Sequence, residues 1–143
     1  SKDDDLVLSK QSGSLRTIYL NRPSALNALN TRMVRLIRKY LQEATSSSSS
    51  SSPIIALRGE GRALCSGGDV LAVVKAANAE TEEQRQEALA FFQGEFELDY
   101  MIAKLGERSG KAVADAGSQS DKNSKVFISF MDGITSECSS TRG

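Results

Sequence analysis

The sequence contains no histidine, and this absence excludes several classes of enzyme. Without histidine there is no Ser-His-Asp triad, no Cys-His pair, no H-E-x-x-H zinc site and no metal site built on two histidines. Cysteine is scarce too, because only Cys65 and Cys138 are present and no C-x-x-C pair occurs. A zinc knuckle and a framework of several disulfides are therefore excluded, and a single Cys65–Cys138 bridge stays open. Because nothing in the sequence requires a disulfide, we expect the protein to reside in a reducing compartment.

The chain also lacks net charge and long apolar runs. Its 18 basic side chains balance 18 acidic ones, whereas nucleic-acid-binding proteins usually carry a basic surplus, so we expect no direct nucleic-acid partner. No apolar run approaches the roughly 18–20 residues of a membrane-spanning helix, so we expect no membrane partner. The acidic residues 3–5 are unlike an Arg-rich targeting peptide, and without an initiator Met we expect a processed, trimmed or partial chain.

What is present predicts a single domain with a modest core, because the chain has 143 residues, of which 39% are hydrophobic. Two short strands, 6–8 and 15–20, flank a Ser-Gly-Ser turn, and Pro23 ends the second strand. Asn30 is a candidate N-cap for an amphipathic helix over 31–44. The basic residues of this helix are expected to form a solvated face: Arg32, Arg35, Arg38 and Lys39.

The second half of the chain alternates between regular and polar segments. A serine run over 46–52 predicts a flexible loop, and a buried strand over 54–58 follows it. Thr81 and Gln84 fit a capping box that opens a helix to about residue 105. Its buried side is predicted to comprise Ala88, Phe91, Phe92, Phe96, Met101, Ile102 and Leu105. A polar stretch over 106–125 and one more strand over 126–131 come next.

The best chemical candidate is Gly67-Gly68-Asp69, placed between a strand and an apolar helical stretch. Two consecutive glycines let the backbone approach a ligand closely, and the N–H groups that open a helix favour negative charge. Such a place suits a phosphate or a developing oxyanion. The sequence fits neither the dinucleotide-binding fingerprint nor the P-loop. A tight turn that only leads into a helix is the alternative.

Four motifs resemble the enoyl-CoA hydratase/isomerase (crotonase) superfamily. Residues 20–29 are similar to its L-N-R-P-x-x-x-N-A-L opening, and residues 59–70 resemble its G-x-G-x-A-F-C-A-G-G-D-[IV] segment. Residues 91–102 resemble the F-F-x-x-E-[YF]-x-L-[DN]-Y-x-I helix of the 3-hydroxyisobutyryl-CoA hydrolase branch, and residues 131–135 match its M-D-G-I-T. The resemblance covers 6–105 and 126–135. It implies an α/β fold, a crotonase-like ββα spiral, incomplete here, that binds acyl-CoA.

The resemblance also assigns roles to particular residues. It gives Gly68 one of two backbone N–H groups that hold the oxyanion, and it gives Glu95 a contact with the acyl hydroxyl. Without the resemblance, Glu95 is a surface carboxylate. The segment expected to contact acyl-CoA comprises Gly67, Asp69, Val70 and Leu71. Cys65 is expected to be small core packing. The resemblance implies no metal and no cofactor, with acyl-CoA as the substrate.

The sequence departs from the family after Thr135. The family continues with M-G-G-G, whose middle glycine supplies the second oxyanion donor, whereas Ser136-Glu137-Cys138 stand here. The carboxylates of the hydrolase branch lie beyond Gly143. We therefore expect a truncated, poorly active chain divided into a family segment over 1–105, a polar insertion over 106–125, a core strand over 126–135 and a non-family tail over 136–143.

The resemblance leaves three functions open. The first is a 3-hydroxyisobutyryl-CoA hydrolase of valine breakdown. The second is an enoyl-CoA hydratase or isomerase. The third is a non-catalytic structural subunit of the kind found in mitochondrial ribosomes. The family implies a mitochondrial location, with the peroxisome as the alternative, and a homo-oligomer or an assembly subunit, although no targeting signal is seen in the chain.

Overall fold

The structure, a computed structural model, describes residues 6–46, 54–114, 126–129 and 134–135. Within these residues the strands are β1 (Val7–Ser12), β2 (Leu15–Leu20), β3 (Ile54–Gly59), β4 (Ala63–Cys65), β5 (Val126–Ser129) and β6 (Ile134–Thr135). The α-helices of the same residues are α1 (Thr31–Thr45), α2 (Val70–Ala77) and α3 (Glu82–Ala114). The main sheet has the order β1-β2-β3-β5, and a second sheet pairs β4 with β6.

The main sheet combines a hairpin with parallel strands. The predicted hairpin is confirmed: β1 and β2 are antiparallel, and Gly13 in their turn has a φ of +56°, which glycine adopts readily. β3 lies parallel to β2, with α1 as the crossover between them, and β5 lies parallel to β3. Strand β4 was not predicted, because three residues are too short to show alternation. The core strand expected over 126–135 includes both β5 and β6, which belong to different sheets, so the prediction of a single strand there is wrong.

Several predictions fall outside the described residues. They concern the serine run beyond Ser46, the part of the polar stretch after Ala114, the end of the strand predicted over 126–131, and the tail with Cys138. No helix among the described residues is both long enough and apolar enough to cross a membrane.

Helix α1 forms where the sequence predicts it. Asn30 adopts an extended conformation, and its Oδ1 accepts a 2.9 Å hydrogen bond from the Met33 N–H, which confirms the N-cap. The apolar face of α1 is buried in the core: Met33, Val34, Ile37, Leu41 and Ala44. Each large apolar side chain buried in this way contributes about 1.5–3 kcal/mol.

The basic face of α1 is only partly solvated. Arg32, Arg35 and Lys39 are exposed as predicted. Arg38 instead forms an ion pair with Glu97 of α3, and its side chain is only 30% exposed. The prediction of a uniformly solvated face is therefore wrong at Arg38, because the sequence of α1 does not show that α3 packs beside it.

Helix α3 begins as predicted and ends later. The Thr81 Oγ1 accepts a 3.4 Å hydrogen bond from the Gln84 N–H, and the helix continues to Ala114, nine residues beyond the expected end. Its predicted buried face is wrong at Phe92 and Phe96, which are 45% and 72% exposed. The buried face instead includes Leu98, which was not predicted. Successive helical residues are about 100° apart, so Phe91 and Phe92 cannot both centre on one narrow face.

Candidate active site

The candidate site is built where two segments meet. We call residues 21–30 the Arg-Pro loop and residues 65–69 the glycine segment. Leu29 N–H donates to Gly67 C=O at 2.8 Å, and Asp69 N–H donates to Leu29 C=O at 2.7 Å, so Leu29 and Gly68 form a parallel bridge. In such a bridge the central residue directs its own N–H to the opposite side. Among the described residues, the Gly68 N–H donates to no acceptor.

Gly67 and Gly68 each occupy a position that favours glycine, but for different structural reasons. Gly67 has a φ of +99°, in the region that favours glycine. A Cβ on Gly68 would lie only 3.1 Å from Phe91 Cζ and 3.2 Å from Glu95 Oε1. The missing side chain therefore lets α3 approach the backbone of the glycine segment closely.

This approach brings together two residues that the resemblance singles out. Gly68 and Glu95 are far apart in the chain, and the half-buried Glu95 carboxylate lies beside the Gly68 backbone. A backbone N–H donor and a carboxylate acceptor therefore lie close together in the fold. Sequence reasoning missed the part that Phe91 plays here, since it treated Phe91 only as a core residue of the helix.

The other predicted contact residues divide into two groups. The Asp69 carboxylate is engaged inside the protein: Oδ1 accepts from Ala72 N–H at 3.1 Å, and Oδ2 accepts from Arg22 Nη1 at 2.8 Å. Each oxygen of the carboxylate therefore already accepts one hydrogen bond from within the protein. Val70 and Leu71 project outwards, since they are 67% and 75% exposed.

The Arg22–Asp69 ion pair makes stability depend on pH. The hydrogen bond from Arg22 holds the pKa of the Asp69 carboxyl below its ordinary value of 3.8; burial opposes this shift, and the Ala72 N–H adds to it. The pKa of Asp69 is lower in the folded protein than in the unfolded chain, so the ion pair contributes its full stabilisation above about pH 4, and this contribution is lost as the pH falls through the folded-state pKa. We expect the free energy of unfolding measured in urea to show this loss at acid pH, and we expect the part due to the ion pair to be absent in Asp69→Asn. An unchanged acid slope in that variant would contradict the assignment.

The buried side-chain amide of Asn27 fixes the conformation of the Arg-Pro loop. Asn27 is 0% exposed, and its side chain accepts from Arg22 N–H at 2.7 Å and donates to Glu60 C=O at 2.9 Å and Ala63 C=O at 2.8 Å. Its φ is +56°, which Asn tolerates better than most residues. Sequence reasoning assigned Asn27 no role, although its fixed place in the L-N-R-P-x-x-x-N-A-L motif was the available signal.

Cys65 behaves as predicted. It is buried, and its Sγ accepts a 3.4 Å hydrogen bond from the Gly67 N–H. The thiol therefore packs against the backbone of Gly67 and helps to fix its conformation.

A pocket of about 320 Å³ lies next to the glycine segment, between α2, α3 and the start of α1. Its apolar lining residues are Ala72, Val73, Ala76, Ala88 and Phe91. Its polar lining residues are Asn30, Thr31, Arg32, Asp69 and Glu87. Gly68 and Glu95 do not line it, so the pocket and the predicted catalytic amide are neighbouring but separate features.

The sequence of this whole region identifies the family. Residues 15–109, which are 95 of the 143 residues, match the family model described as enoyl-CoA hydratase/isomerase. The chain belongs to this family. The predicted superfamily is thereby confirmed.

Relatives and solved structures agree with this assignment. The small ribosomal subunit protein mS47 of Neurospora crassa is 32% identical over 130 residues, which cover 90% of this chain and 22% of that protein. The 3-hydroxyisobutyryl-CoA hydrolase, mitochondrial, of Xenopus tropicalis is 33% identical over 135 residues, which cover 94% of this chain and 29% of that protein. The chain thus spans about a quarter of the length of these relatives.

The fold class is confirmed by structural comparison. A crystal structure of a carnitinyl-CoA dehydratase from Mycobacterium thermoresistibile superimposes with a TM-score of 0.67 at 30% identity. The match covers 91% of this chain and 32% of that structure. The α/β crotonase-like fold is therefore present over most of the chain, as a part of the fold seen in that neighbour.

Proposed function

We propose that the protein binds an acyl-CoA thioester and hydrolyses it, with 3-hydroxyisobutyryl-CoA as the substrate. The observation that supports this proposal is the juxtaposition of the Gly68 N–H, directed away from Leu29, with the Glu95 carboxylate. The relative from Xenopus tropicalis, whose similarity covers 94% of this chain, bears the name of that hydrolase. No cofactor takes part in the proposed reaction.

The chemistry follows from where charge develops. The thioester carbonyl oxygen accepts a hydrogen bond from the Gly68 N–H, and this bond strengthens as water attacks the carbonyl carbon and the oxygen becomes negative. The carbonyl then re-forms as the C–S bond breaks, so that the products are the free acid and coenzyme A, whose thiol takes up the proton given up by the water. A donor of this kind is worth about 2.7–4 kcal/mol in the transition state. Glu95 accepts a hydrogen bond from the hydroxyl of the acyl group, which fixes the orientation of the carbonyl. Gly67, Val70 and Leu71 contact the remainder of the acyl-CoA.

We expect only trace hydrolysis by the 143-residue chain itself. Ser136 follows Thr135 where the family has the segment with the second donor. Losing one oxyanion donor lowers kcat about 10²–10³-fold. Release of free CoA thiol from 3-hydroxyisobutyryl-CoA measures this rate directly. Turnover close to that of a complete hydrolase would contradict the expectation.

The role of Glu95 is tested by comparing two ligands that differ in one hydroxyl. Calorimetry on the wild type should show tighter binding of 3-hydroxyisobutyryl-CoA than of isobutyryl-CoA, because a hydrogen bond to a charged group contributes about 1.5–3 kcal/mol. Glu95→Gln should weaken binding of the hydroxylated ligand by roughly tenfold and leave isobutyryl-CoA almost unaffected. Glu83→Gln, at an exposed residue in the first turn of α3, is the matched control. Equal losses for both ligands in Glu95→Gln would contradict the assigned role.

A structural role is the second candidate, and a specific relative favours it. The similarity to the ribosomal protein mS47 covers 90% of this chain, and a subunit of an assembly does not need the second oxyanion donor. Failure of the protein to bind any acyl-CoA would favour this role. An enoyl-CoA hydratase or isomerase remains the alternative within the enzyme class, and hydration of crotonyl-CoA would reveal it. The name of the Xenopus relative supports a mitochondrial location for the protein.

A further inference from the structure

The peptide unit between Gly67 and Gly68 carries two groups that point in opposite directions, because a trans peptide is planar. One group is the Gly68 N–H. The other is the Gly67 C=O, which accepts a 2.8 Å hydrogen bond from the Leu29 N–H. With glycine on both sides, the backbone itself restricts the rotation of this unit very little. The bond from Leu29 therefore decides the direction in which the Gly68 N–H points.

The same arrangement is repeated one peptide unit further back. The Leu29 N–H shares its unit with the Ala28 C=O, and this oxygen accepts a 3.0 Å hydrogen bond from Arg22 Nη1. Each of the two units thus accepts a hydrogen bond at its oxygen and directs its N–H towards the site. We call this chain of hydrogen bonds, from Arg22 through Ala28–Leu29 to Gly67–Gly68, the peptide relay.

The guanidinium that begins the relay is itself held in place. Nη1 also donates to Asp69 Oδ2 at 2.8 Å, and the Arg22 backbone N–H donates to Asn27 Oδ1 at 2.7 Å. The Arg22 side chain is only 26% exposed. A guanidinium carries five N–H groups in a rigid plane, so one nitrogen serves both the carboxylate and the Ala28 oxygen. Asp69 thereby orients Arg22 towards the first unit of the relay.

We propose that Arg22 is a positioning residue for the Gly68 amide, which it orients and strengthens as a donor through the two peptide units. A hydrogen bond received at a peptide oxygen draws electron density from the N–H of the same unit, and bonds in such a chain strengthen one another by about 10–30% each. The first bond is strong because its donor is charged. The inference rests on the proposed function, which places the thioester carbonyl at Gly68.

Nuclear magnetic resonance of Arg22→Met tests the relay, because methionine is an unbranched side chain without a donor. In the ligand-free protein, the coupling across the hydrogen bond between the Leu29 nitrogen and the Gly67 carbonyl carbon should fall by roughly 10–30%. With isobutyryl-CoA labelled with ¹³C at its carbonyl, the bound carbonyl resonance should move upfield from its wild-type position. Arg35→Met, at an exposed arginine of α1, is the matched control and should change neither signal.

A second variant covers the case in which Arg22→Met does not fold. Arg22→Met leaves the Asp69 carboxylate without its cationic partner, whereas Arg22→Met combined with Asp69→Asn removes both charges and should show the same two changes. A thioester carbonyl resonance that keeps its wild-type position in either folded variant, with isobutyryl-CoA bound, overturns this inference alone. Failure of the wild type to bind isobutyryl-CoA overturns the proposed function and, with it, the role of Arg22 towards a thioester.

Discussion

Replacing Asn27 by alanine should lower the free energy of unfolding by about 3–5 kcal/mol. The substitution leaves the Ala63 carbonyl, in a residue that is 1% exposed, without the donor that now satisfies it. It also removes the bonds to the Arg22 N–H and the Glu60 carbonyl, and it places alanine at a φ of +56°. Since domains are stable by only about 5–15 kcal/mol, this is a large part of the total.

Urea unfolding followed by circular dichroism measures this loss. Asn78→Ala, at an exposed residue that follows α2, is the matched control and should change stability by no more than about 0.5 kcal/mol. Asn27→Asp keeps the acceptor for Arg22 N–H and cannot donate to the two carbonyls, so it isolates the donated bonds. A loss below about 1 kcal/mol in Asn27→Ala would show that the buried amide does not lock the loop.

Gly59→Ala should destabilise the protein by about 3 kcal/mol or more, because the chain folds back on itself at this residue. A Cβ here would overlap the Ala63 carbonyl oxygen and lie 2.5 Å from the Leu64 carbonyl oxygen and 2.7 Å from the Leu64 Cα. These neighbours are backbone atoms, which cannot rotate away as a flexible side chain can. Accommodating a methyl group requires β3 and β4 to separate.

Gly106→Ala is the matched control, and it should have the opposite sign. Gly106 lies within α3, and a Cβ there would meet no atom within 4 Å. Alanine in a helix is favoured over glycine by roughly 0.5–1 kcal/mol, so this variant should be slightly more stable than the wild type. If the two variants unfolded at the same urea concentration, the close approach of β3 and β4 would not be needed for the fold.

Local signals in the sequence were sufficient for most of the secondary structure. Asn30 begins α1 because its side chain and the apolar spacing after it depend only on neighbouring residues. The same is true of the turn at Gly13 and of the end of β2 at Leu20, shortly before Pro23. Features that depend on a partner distant in the chain were predicted poorly. The exposed ring of Phe96 and the ion pair of Arg38 are set by how α3 packs, which local spacing does not encode.

In the candidate site, too, the features set by local sequence were predicted, and those that depend on distant contacts were not predicted from local patterns. Composition and spacing single out Gly67 and Gly68 as a place of close backbone approach, and their geometry agrees with that expectation. The pairing of Gly68 with Glu95 came from the resemblance alone, since no local pattern relates a strand-end glycine to a helix carboxylate. The part played by Phe91 was invisible in the sequence for a related reason: its apolar side chain fits a core position equally well.

The central claim is that the Gly68 amide donates a hydrogen bond to a thioester carbonyl. Nuclear magnetic resonance of the ¹⁵N-labelled chain tests it directly, by titration with isobutyryl-CoA and, separately, with free coenzyme A, which has no carbonyl at the sulfur. The account predicts that the Gly68 amide proton moves downfield with the thioester and much less with free coenzyme A, while the Gly106 resonance stays in place. A Gly68 resonance that does not move when the protein is saturated with isobutyryl-CoA would contradict the claim.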